Sequence, residues 1–326
     1  MKNIKVGIVG YGNLGKGVES ALYNGEKAFK LVKIFSNRTN LISPFGTKFE
    51  KTSNLEKYAG KIDILFLCVG SYSDIEKIGP QTIKMFNTVD SFDTHAKLEK
   101  YINSLDKIAK ESKKVALCAG GWDPGLLSMM RLIFNSIAPI HTPANSFWGM
   151  GVSQGHSDAI RRLEGVENAI QYTIPSKKIV AKCGKEFDYV PKGTEKHERL
   201  CYVALKPGAD AEKIKNEIVN MENYFKGYKT TVKFVSNEKL KQMQQKMFHR
   251  GYVVKNFKCS EKYATNLSFT LDLESNPYFT SEVLVALGCA VYKLSNEEKY
   301  GAYSVFDIPL SYLSLKDRNT LINSTL

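Results

Sequence analysis

Three glycines near the start of the chain have the spacing of a phosphate-binding turn. Gly10, Gly12 and Gly15 form Gly-x-Gly-x-x-Gly between an apolar strand pattern, 4–9, and a helical pattern, 13–23. Such a turn lets the backbone approach a pyrophosphate, which binds free N–H groups at the start of the helix. A glycine-rich turn in another α/β protein is the alternative, but the flanking strand and helix favour a dinucleotide. The predicted contacts are Gly10, Tyr11, Gly12, Asn13 and Leu14.

The residues after the second predicted strand, 31–35, indicate which dinucleotide is bound. NAD sites usually place Asp or Glu here for the ribose 2′-hydroxyl, and no acidic residue lies between Leu31 and Phe49. The Arg38 guanidinium can form charge-assisted hydrogen bonds with a 2′-phosphate. A solvated surface arginine is the alternative. We predict NADP(H), with the phosphate bound by Ser36, Asn37, Arg38 and Thr39.

Later strand ends add further cofactor contacts and two aspartates. The apolar run 62–69 is typical of a parallel strand buried on both faces, and the segments 90–95 and 120–125 follow two more strands. Ligands of an open α/β sheet bind beyond the carboxyl ends of its strands. For 123–125, Asp-Pro-Gly, a plain turn and helix start is the alternative. The predicted cofactor contacts at these ends are Cys68, Val69, Gly70, Ser71, Asp93, Gly121, Trp122 and Asp123.

A glycine-rich polar segment, 147–162, is typical of a small-molecule pocket. Its glycines keep the backbone accessible, while Ser153, Gln154 and Asp158 provide donors and acceptors. The paired arginines at its end also fit a solvated helix face. Residues further along are, taken singly, more often structural than ligand contacts: Thr173, Arg199, His249 and Asn276.

The order of the predicted strands and helices that position these residues changes along the chain. Strand and helix patterns alternate up to a helix at 126–137, as in a doubly wound parallel sheet. Strand candidates with fewer helices follow, at 170–174, 198–205, 230–235, 251–257 and 267–273. A helix at 280–293 and the tail at 305–313 are expected to pack back on the first domain.

We therefore predict an α/β protein with two domains, which its length of 326 residues allows. Residues 1–120, completed by about 277–326, form a Rossmann-type dinucleotide-binding domain. Residues 121–276 form an α+β domain whose mixed sheet carries substrate binding and dimerisation.

Composition narrows the classes of partner. The net charge is +13, but the lysines are scattered and no nucleic-acid motif is present, so we expect no nucleic-acid partner. A basic surface also attracts a phosphorylated cofactor and an acidic substrate. The six cysteines lack metal-ligand spacing, which predicts no metal site, no disulfide framework and a reducing compartment. With neither a membrane-length apolar run nor a signal-peptide pattern, we predict a cytoplasmic location.

The chain resembles the meso-diaminopimelate dehydrogenase family, NADP-dependent D-amino acid dehydrogenases of lysine and cell-wall precursor metabolism. The matching segments are 7–15, 88–95, 121–125, 147–162 and 171–173, and Ser-Gln-Gly-His-Ser-Asp at 153–158 is specific to the family. The resemblance implies a homodimer that oxidatively deaminates the D-centre of meso-2,6-diaminopimelate. The products are L-2-amino-6-oxopimelate, ammonia and NADPH.

The resemblance also implies roles for single residues. Asp93, Asp123 and Trp148 would surround the D-centre, with either aspartate a candidate base. Gln154 and Asp158 would line the pocket beside the backbone of Ser153 to Gly155. The distal L-centre would be held by Thr173, Arg199, His249 and Asn276. The sequence departs from the family in having Asn37-Arg38 where paired arginines are frequent, and the segment after His249 varies.

Two other functions share part of this pattern. A dihydrodipicolinate reductase or a homoserine dehydrogenase would have the first domain without needing the segment 147–162. An NADP-sensing regulator would keep the glycine turn without a second polar pocket.

Overall fold

The computed structural model describes residues 3–25, 28–70, 74–138, 142–187, 189–243 and 248–326. The strands are β1 (Ile4–Val9), β2 (Phe29–Phe35), β3 (Phe49–Glu50), β4 (Ile64–Leu67), β5 (Asn87–Asp90), β6 (Val115–Leu117), β7 (Asn145–Trp148), β8 (Gly151–Ser153), β9 (Val166–Pro175), β10 (His197–Leu205), β11 (Lys229–Phe234), β12 (His249–Lys258), β13 (Ala264–Leu273) and β14 (Gly301–Tyr303). The α-helices are α1 (Asn13–Asn24), α2 (Asp74–Thr82), α3 (Leu98–Glu111), α4 (Leu126–Ile137), α5 (Gln154–Arg161), α6 (Lys177–Cys183), α7 (Ala211–Val219), α8 (Asn237–Met243), α9 (Asn276–Asn296) and α10 (Arg318–Thr325).

The chain forms two compact units. Unit 1 consists of Met1–Met129 together with Pro277–Leu326, and unit 2 is the continuous stretch Met130–Asn276. Among the described residues, no helix has both the length and the apolar character that a membrane span requires.

Unit 1 is built on a seven-stranded sheet with the order β14-β6-β5-β4-β1-β2-β3. Every neighbouring pair is parallel, and the order reverses at β1, whose neighbours are β2 and β4. All four residues of β4 are buried, as expected of a parallel strand covered by helices on both faces. The predicted Rossmann-type sheet is confirmed.

The long helix α9 completes the core of unit 1. A Cβ atom on Gly17 of α1 would lie 2.3 Å from the Ser281 Oγ of α9, so the two helices are in close contact. Leu284 and Leu287 are 0% and 1% exposed, and each such buried side chain contributes about 1.5–3 kcal/mol. Val305 and Ile308 of the C-terminal segment join the same cluster of buried side chains.

Unit 2 contains two sheets, with the orders β11-β10-β9-β8 and β13-β12-β7. The first is mixed, because β10 pairs parallel with β11 and antiparallel with β9. One mixed sheet was expected, but two form because β7 pairs with β12 while β8 pairs with β9. Gly149, which lies between β7 and β8, has a φ of +109°. A Cβ atom there would lie 2.0 Å from the Thr173 carbonyl oxygen.

Candidate active site

The glycine turn of unit 1 has the geometry of an anion site. Gly10 has a φ of +91°, and a Cβ atom there would lie 2.5 Å from the Cys68 carbonyl oxygen. A Cβ atom on Gly15 would lie 2.2 Å from the Gly10 carbonyl oxygen, so this glycine lets α1 pack against the turn. At Gly12, which caps α1, a Cβ atom would meet no described atom within 4 Å. The backbone here is open to a ligand, and the helix start favours an anion.

A cavity of about 630 Å³ lies next to this turn, at the carboxyl ends of β1, β2 and β4. Nine predicted cofactor contacts line it: Gly10, Tyr11, Gly12, Ser36, Asn37, Arg38, Cys68, Val69 and Gly70. Asn13 and Leu14 form the first turn of α1, and Thr39 is not among the described lining residues. Ser71 lies outside the described residues. The lining also includes residues that the sequence did not single out, namely Thr52, Asp74, Lys77, Ile78 and Gln81.

Hydrogen bonds fix the loop after β2 against the glycine turn. Arg38 Nη2 donates to the Tyr11 carbonyl oxygen, and the Arg38 N–H donates to Ser36 Oγ at 3.3 Å. Asn37 Oδ1 accepts from the Thr52 N–H at 3.2 Å. Arg38 is therefore held in the cavity wall by the turn itself. Together with Lys77, it gives the lining the positive charge that a phosphorylated ribose requires.

A buried hydrogen-bond network anchors the Tyr11 side chain. The Tyr11 hydroxyl donates to Glu19, which is 1% exposed, and Ser43 Oγ donates to the other Glu19 oxygen at 2.6 Å. Burial, followed by the hydrogen bond to Glu19, raises the pKa of Tyr11. The network joins α1, the turn and the loop at Ser43. No pattern in the sequence predicted this network.

The loops after β5 and β6 share one buried carboxylate. Asp90 is 0% exposed, and its Oδ1 accepts from the Phe92 and Ala119 N–H groups, each at 3.0 Å. Its Oδ2 accepts from the Tyr101 hydroxyl at 2.9 Å. Burial raises the pKa of Asp90, and these hydrogen bonds oppose the increase.

The two predicted catalytic aspartates lie in these loops, each within unit 1. Asp93 is exposed, and Asp123 is partly buried with its Oδ1 accepting from Ser128 Oγ at 3.4 Å. Trp122, the residue before Asp123, is buried, with 7% of its surface exposed. The Gly121 N–H donates to the Pro124 carbonyl oxygen at 2.9 Å, which closes the second loop on itself.

In unit 2, strand pairing brings together three residues predicted to hold the distal centre. Arg199 lies opposite Thr173 across β10 and β9, and Arg199 Nη1 donates to Thr173 Oγ1 at 2.8 Å. Gly151 of β8 pairs with Thr173, and a Cβ atom on Gly151 would lie 2.3 Å from the His249 ring. Arg199, Thr173 and His249 therefore line one region of unit 2.

Arg199 is buried without full hydrogen bonding. It is 8% exposed, and its guanidinium lies 4.2 Å from the centre of the Tyr228 ring. Among the described residues, Arg199 Nε is the buried side-chain nitrogen that has no hydrogen-bond partner. A buried cation with an unused donor is costly unless an anion satisfies it, which is what a ligand carboxylate does.

Histidines support this region as neutral rings. The Trp148 N–H donates to His197 Nε2 at 2.8 Å, and the two rings stack with centres 5.0 Å apart. Burial, and then the charge of Arg199, lowers the pKa of His197 to about 3. Burial also lowers the pKa of His249, whose Nδ1 lies 2.9 Å from the Arg250 carbonyl oxygen. The role of His197 was not predicted.

The segment Ser153 to Asp158 forms the start of α5, and half of its side chains hold the backbone. Ser153 caps the helix and contacts His156 Nδ1 at 2.8 Å. Ser157 Oγ donates to the Ser153 carbonyl oxygen at 2.6 Å and accepts from the Gln171 N–H at 2.9 Å. Burial, followed by the Arg199 charge, lowers the pKa of His156 to about 4.

The remaining residues of this segment face outwards. Gln154 and Gly155 are exposed. The Asp158 carboxylate pairs with Arg162 at 2.8 Å and with Arg161 at 3.8 Å, so the paired arginines have an ion-pair role. Asn276 is the partly buried first residue of α9. Within the described residues, no group of three or more His, Cys, Asp or Glu side chains could hold a metal ion.

Similarity to known proteins extends over both units. Residues 121–275 match the family described as diaminopimelic acid dehydrogenase C-terminal domain. Over 323 residues, the chain is 44% identical to the meso-diaminopimelate D-dehydrogenase of Ureibacillus thermosphaericus, covering 98% of this chain and 98% of that protein. The chain belongs to the meso-diaminopimelate D-dehydrogenase family. The resemblance inferred from sequence is thus confirmed, and it is favoured over the reductase and regulator alternatives.

Two solved structures are similar along their whole length. The DAP dehydrogenase of Corynebacterium glutamicum in complex with DAP is 34% identical, with a TM-score of 0.94 and 100% coverage of both chains. An engineered D-amino acid dehydrogenase bound to NADP⁺ is 32% identical, with a TM-score of 0.91 and the same coverage. The chain therefore has the same fold as these family members.

Proposed function

We propose that this protein oxidatively deaminates the D-centre of meso-2,6-diaminopimelate with NADP. The products are L-2-amino-6-oxopimelate, ammonia and NADPH, and the reaction is reversible. The observation that carries the proposal is the buried Arg199 with its unpaired Nε, beside Thr173 and His249. This unused donor supports a carboxylate site in a chain that belongs to this family.

The residues of unit 1 fit a phosphorylated dinucleotide. The open backbone at Gly12 suits a pyrophosphate, and Arg38, held by the Tyr11 carbonyl oxygen, suits a 2′-phosphate. Ser36, Asn37 and Lys77 lie in the same lining. NADP supplies the hydride acceptor for the redox step. The protein supplies binding, orientation and exclusion of water.

The residues of unit 2 fit one end of the substrate, which has a carboxylate and an ammonium group at each end. Arg199 binds the distal carboxylate through its fork of N–H groups, and Thr173 and His249 flank it. Asn276, Gln154, Asp158 and the backbone of Ser153 to Gly155 supply further polar contacts. Because the distal end is held, one carbon presents its hydrogen for transfer, which explains choice of the D-centre.

Asp93 and Asp123 are proposed to bind the D-ammonium group, with Trp148 beside it. An ammonium must lose a proton before its carbon can lose a hydride, so an aspartate, or a water that it orients, is the base. Water then attacks the resulting iminium carbon, and ammonia leaves. Each loop supplies one carboxylate, and we do not assign the role of base to one of the two aspartates.

The setting of the reaction follows from the same proposal. We place it in lysine and diaminopimelate biosynthesis, in the cytoplasm. In support, all six cysteines are free, five of them buried. The assembly is proposed to be a homodimer formed through unit 2.

The direct test is NADPH formation, followed by absorbance, with purified protein, NADP⁺ and separate diaminopimelate stereoisomers. The meso isomer should be oxidised and the L,L isomer should not, because the L,L isomer lacks a D-centre. No NADPH from the meso isomer would refute the proposed function.

A further inference from the structure

Asp90 attaches to both loops that carry the proposed catalytic aspartates. Its Oδ1 accepts from the N–H of Phe92, the residue before Asp93, and from the N–H of Ala119, where the loop leading to Asp123 begins. The Asp90 carbonyl oxygen also accepts from the Gly120 N–H at 2.7 Å. One buried residue thus fixes the starting points of two loops.

The attachment acts on backbone that includes an unfavourable conformation. Ala119 has a φ of +56°, in the left-handed region that non-glycine residues rarely adopt. Because the next loop is closed by the Gly121–Pro124 hydrogen bond, a rotation at Ala119 would move Asp123 as part of a rigid turn. The Tyr101 hydroxyl holds the other carboxylate oxygen and prevents the Asp90 side chain from turning away.

Joining β5 to β6 does not by itself require a buried charge. At the opposite end of β5, the neutral Asn87 accepts from the Val115 N–H at 2.9 Å and donates to the Asp63 carbonyl oxygen at 2.9 Å. A buried carboxylate is costlier than an amide unless its acceptor sites are used. At Asp90, three donors converge on the two oxygens, and two of them belong to the loops.

We propose that Asp90 is a positioning residue, which sets the geometry of Asp93 and Asp123 through the backbone of Phe92 and Ala119. The inference rests on the proposed function, because it takes those two aspartates as the groups that contact substrate. Asp90 itself has no contact with substrate in this proposal.

The experiment compares Asp90→Ala with Asn87→Ala, which removes a similar cross-link from the same strand away from the loops. For each variant, Tm, kcat and KM for meso-diaminopimelate are measured, together with Kd for 2′,5′-ADP by calorimetry. Both variants should have a lower Tm. Asp90→Ala should lower kcat by on the order of 10²-fold, as expected when reacting groups are misplaced.

The other readouts separate positioning from general damage. Asn87→Ala should keep kcat within about twofold of wild type, and both variants should bind 2′,5′-ADP normally, because this ligand uses the Arg38 cavity. Asp90→Asn should restore kcat to within about threefold of wild type, since its Oδ1 can accept both N–H groups while its amide donates to Tyr101.

Equal kcat in Asp90→Ala and Asn87→Ala would overturn the proposal, as would an Asp90→Asn variant as slow as Asp90→Ala. If Asp90→Ala does not fold, Tyr101→Phe decides: its kcat should fall by about three- to tenfold, and a wild-type kcat refutes the inference. Wild-type protein without activity on meso-diaminopimelate would instead refute the proposed function.

Discussion

Arg199 is expected to have opposite effects on substrate binding and on the stability of the free protein. Its guanidinium is buried against Tyr228 and Thr173, and Nε has no partner among the described residues. Desolvation of a cation is costly when its compensation is incomplete. A carboxylate that enters this region supplies the missing acceptor. The residue should therefore strengthen substrate binding at the expense of the free protein's stability.

Arg199→Met should raise KM for meso-diaminopimelate by about 30-fold or more, since truncating one partner of a buried charge pair costs about 2 kcal/mol or more. It should also relax specificity toward simpler D-amino acids, and its Tm should not fall. The control is Arg250→Met, whose guanidinium pairs with Asp272 at the surface. Wild-type kinetics in Arg199→Met would show that this residue does not anchor the substrate.

Arg38→Glu should weaken NADP⁺ binding by on the order of 10²-fold while changing NAD⁺ binding by less than about threefold, because a carboxylate repels only the 2′-phosphate. Calorimetry with both cofactors measures the difference. Lys48→Glu makes the same charge change at an exposed residue outside the described cavity lining and serves as the control. Similar losses for both cofactors in Arg38→Glu would remove the case for phosphate recognition.

At the scale of elements, α5 shows how one motif divides between support and binding. Ser153, His156 and Ser157 form hydrogen bonds that fix the helix start to β8 and β9. Gln154 and Gly155 are exposed beside them. Half of the side chains of this motif therefore stabilise its backbone, and only the other half is available for the proposed substrate contacts.

Ser157→Ala should lower the free energy of unfolding by about 1–3 kcal/mol, because it removes a hydroxyl that makes two hydrogen bonds and leaves the buried Gln171 N–H unpaired. Denaturant unfolding measures the loss. Ser324→Ala in the exposed helix α10 should change stability by less than about 0.5 kcal/mol. A Ser157→Ala variant as stable as wild type would contradict the supporting role.

Local patterns predicted most elements, whereas contacts distant in sequence were missed. The glycine spacing gave the turn at Gly10, and continuous apolar runs gave the parallel strands, because both signals lie within a few residues. The link from Asp90 to Ala119 and the stacking of His197 on Trp148 depend on how strands are ordered. The position of Lys77 in the cavity lining was missed for the same reason. No periodicity in the chain encodes these pairings.

At the scale of the whole molecule, acid should weaken unit 2 before the carboxylates protonate. The pKa of His156 is lowered from 6.5 to about 4 in the folded state. A lowered pKa means that, as pH falls, the folded form binds its proton at a lower pH than the unfolded form does. The stability contributed by the neutral ring is present above pH 6.5 and is lost as pH falls toward about 4.

For His156, linkage gives a loss of about 2 kcal/mol between about pH 7 and about pH 5. Denaturant unfolding at both pH values should show at least this loss in wild type, because the pKa values of His197 and His249 are also lowered and add to it. In His156→Gln, the change with pH should be smaller by that amount, although the variant starts less stable. An identical pH dependence in both proteins would show that this ring does not contribute.

The return of the chain to unit 1 after residue 276 has a consequence for biosynthesis. During translation β1 leaves the ribosome before unit 2, whereas α9 and β14 follow it. Unit 2 is encoded without interruption, so its whole sequence is available earlier. Unit 1 therefore begins before unit 2 and is completed after it, and until α9 has been translated the apolar sheet of unit 1 lacks the helix that covers it. Chaperones that shield nascent apolar surface should act on unit 1.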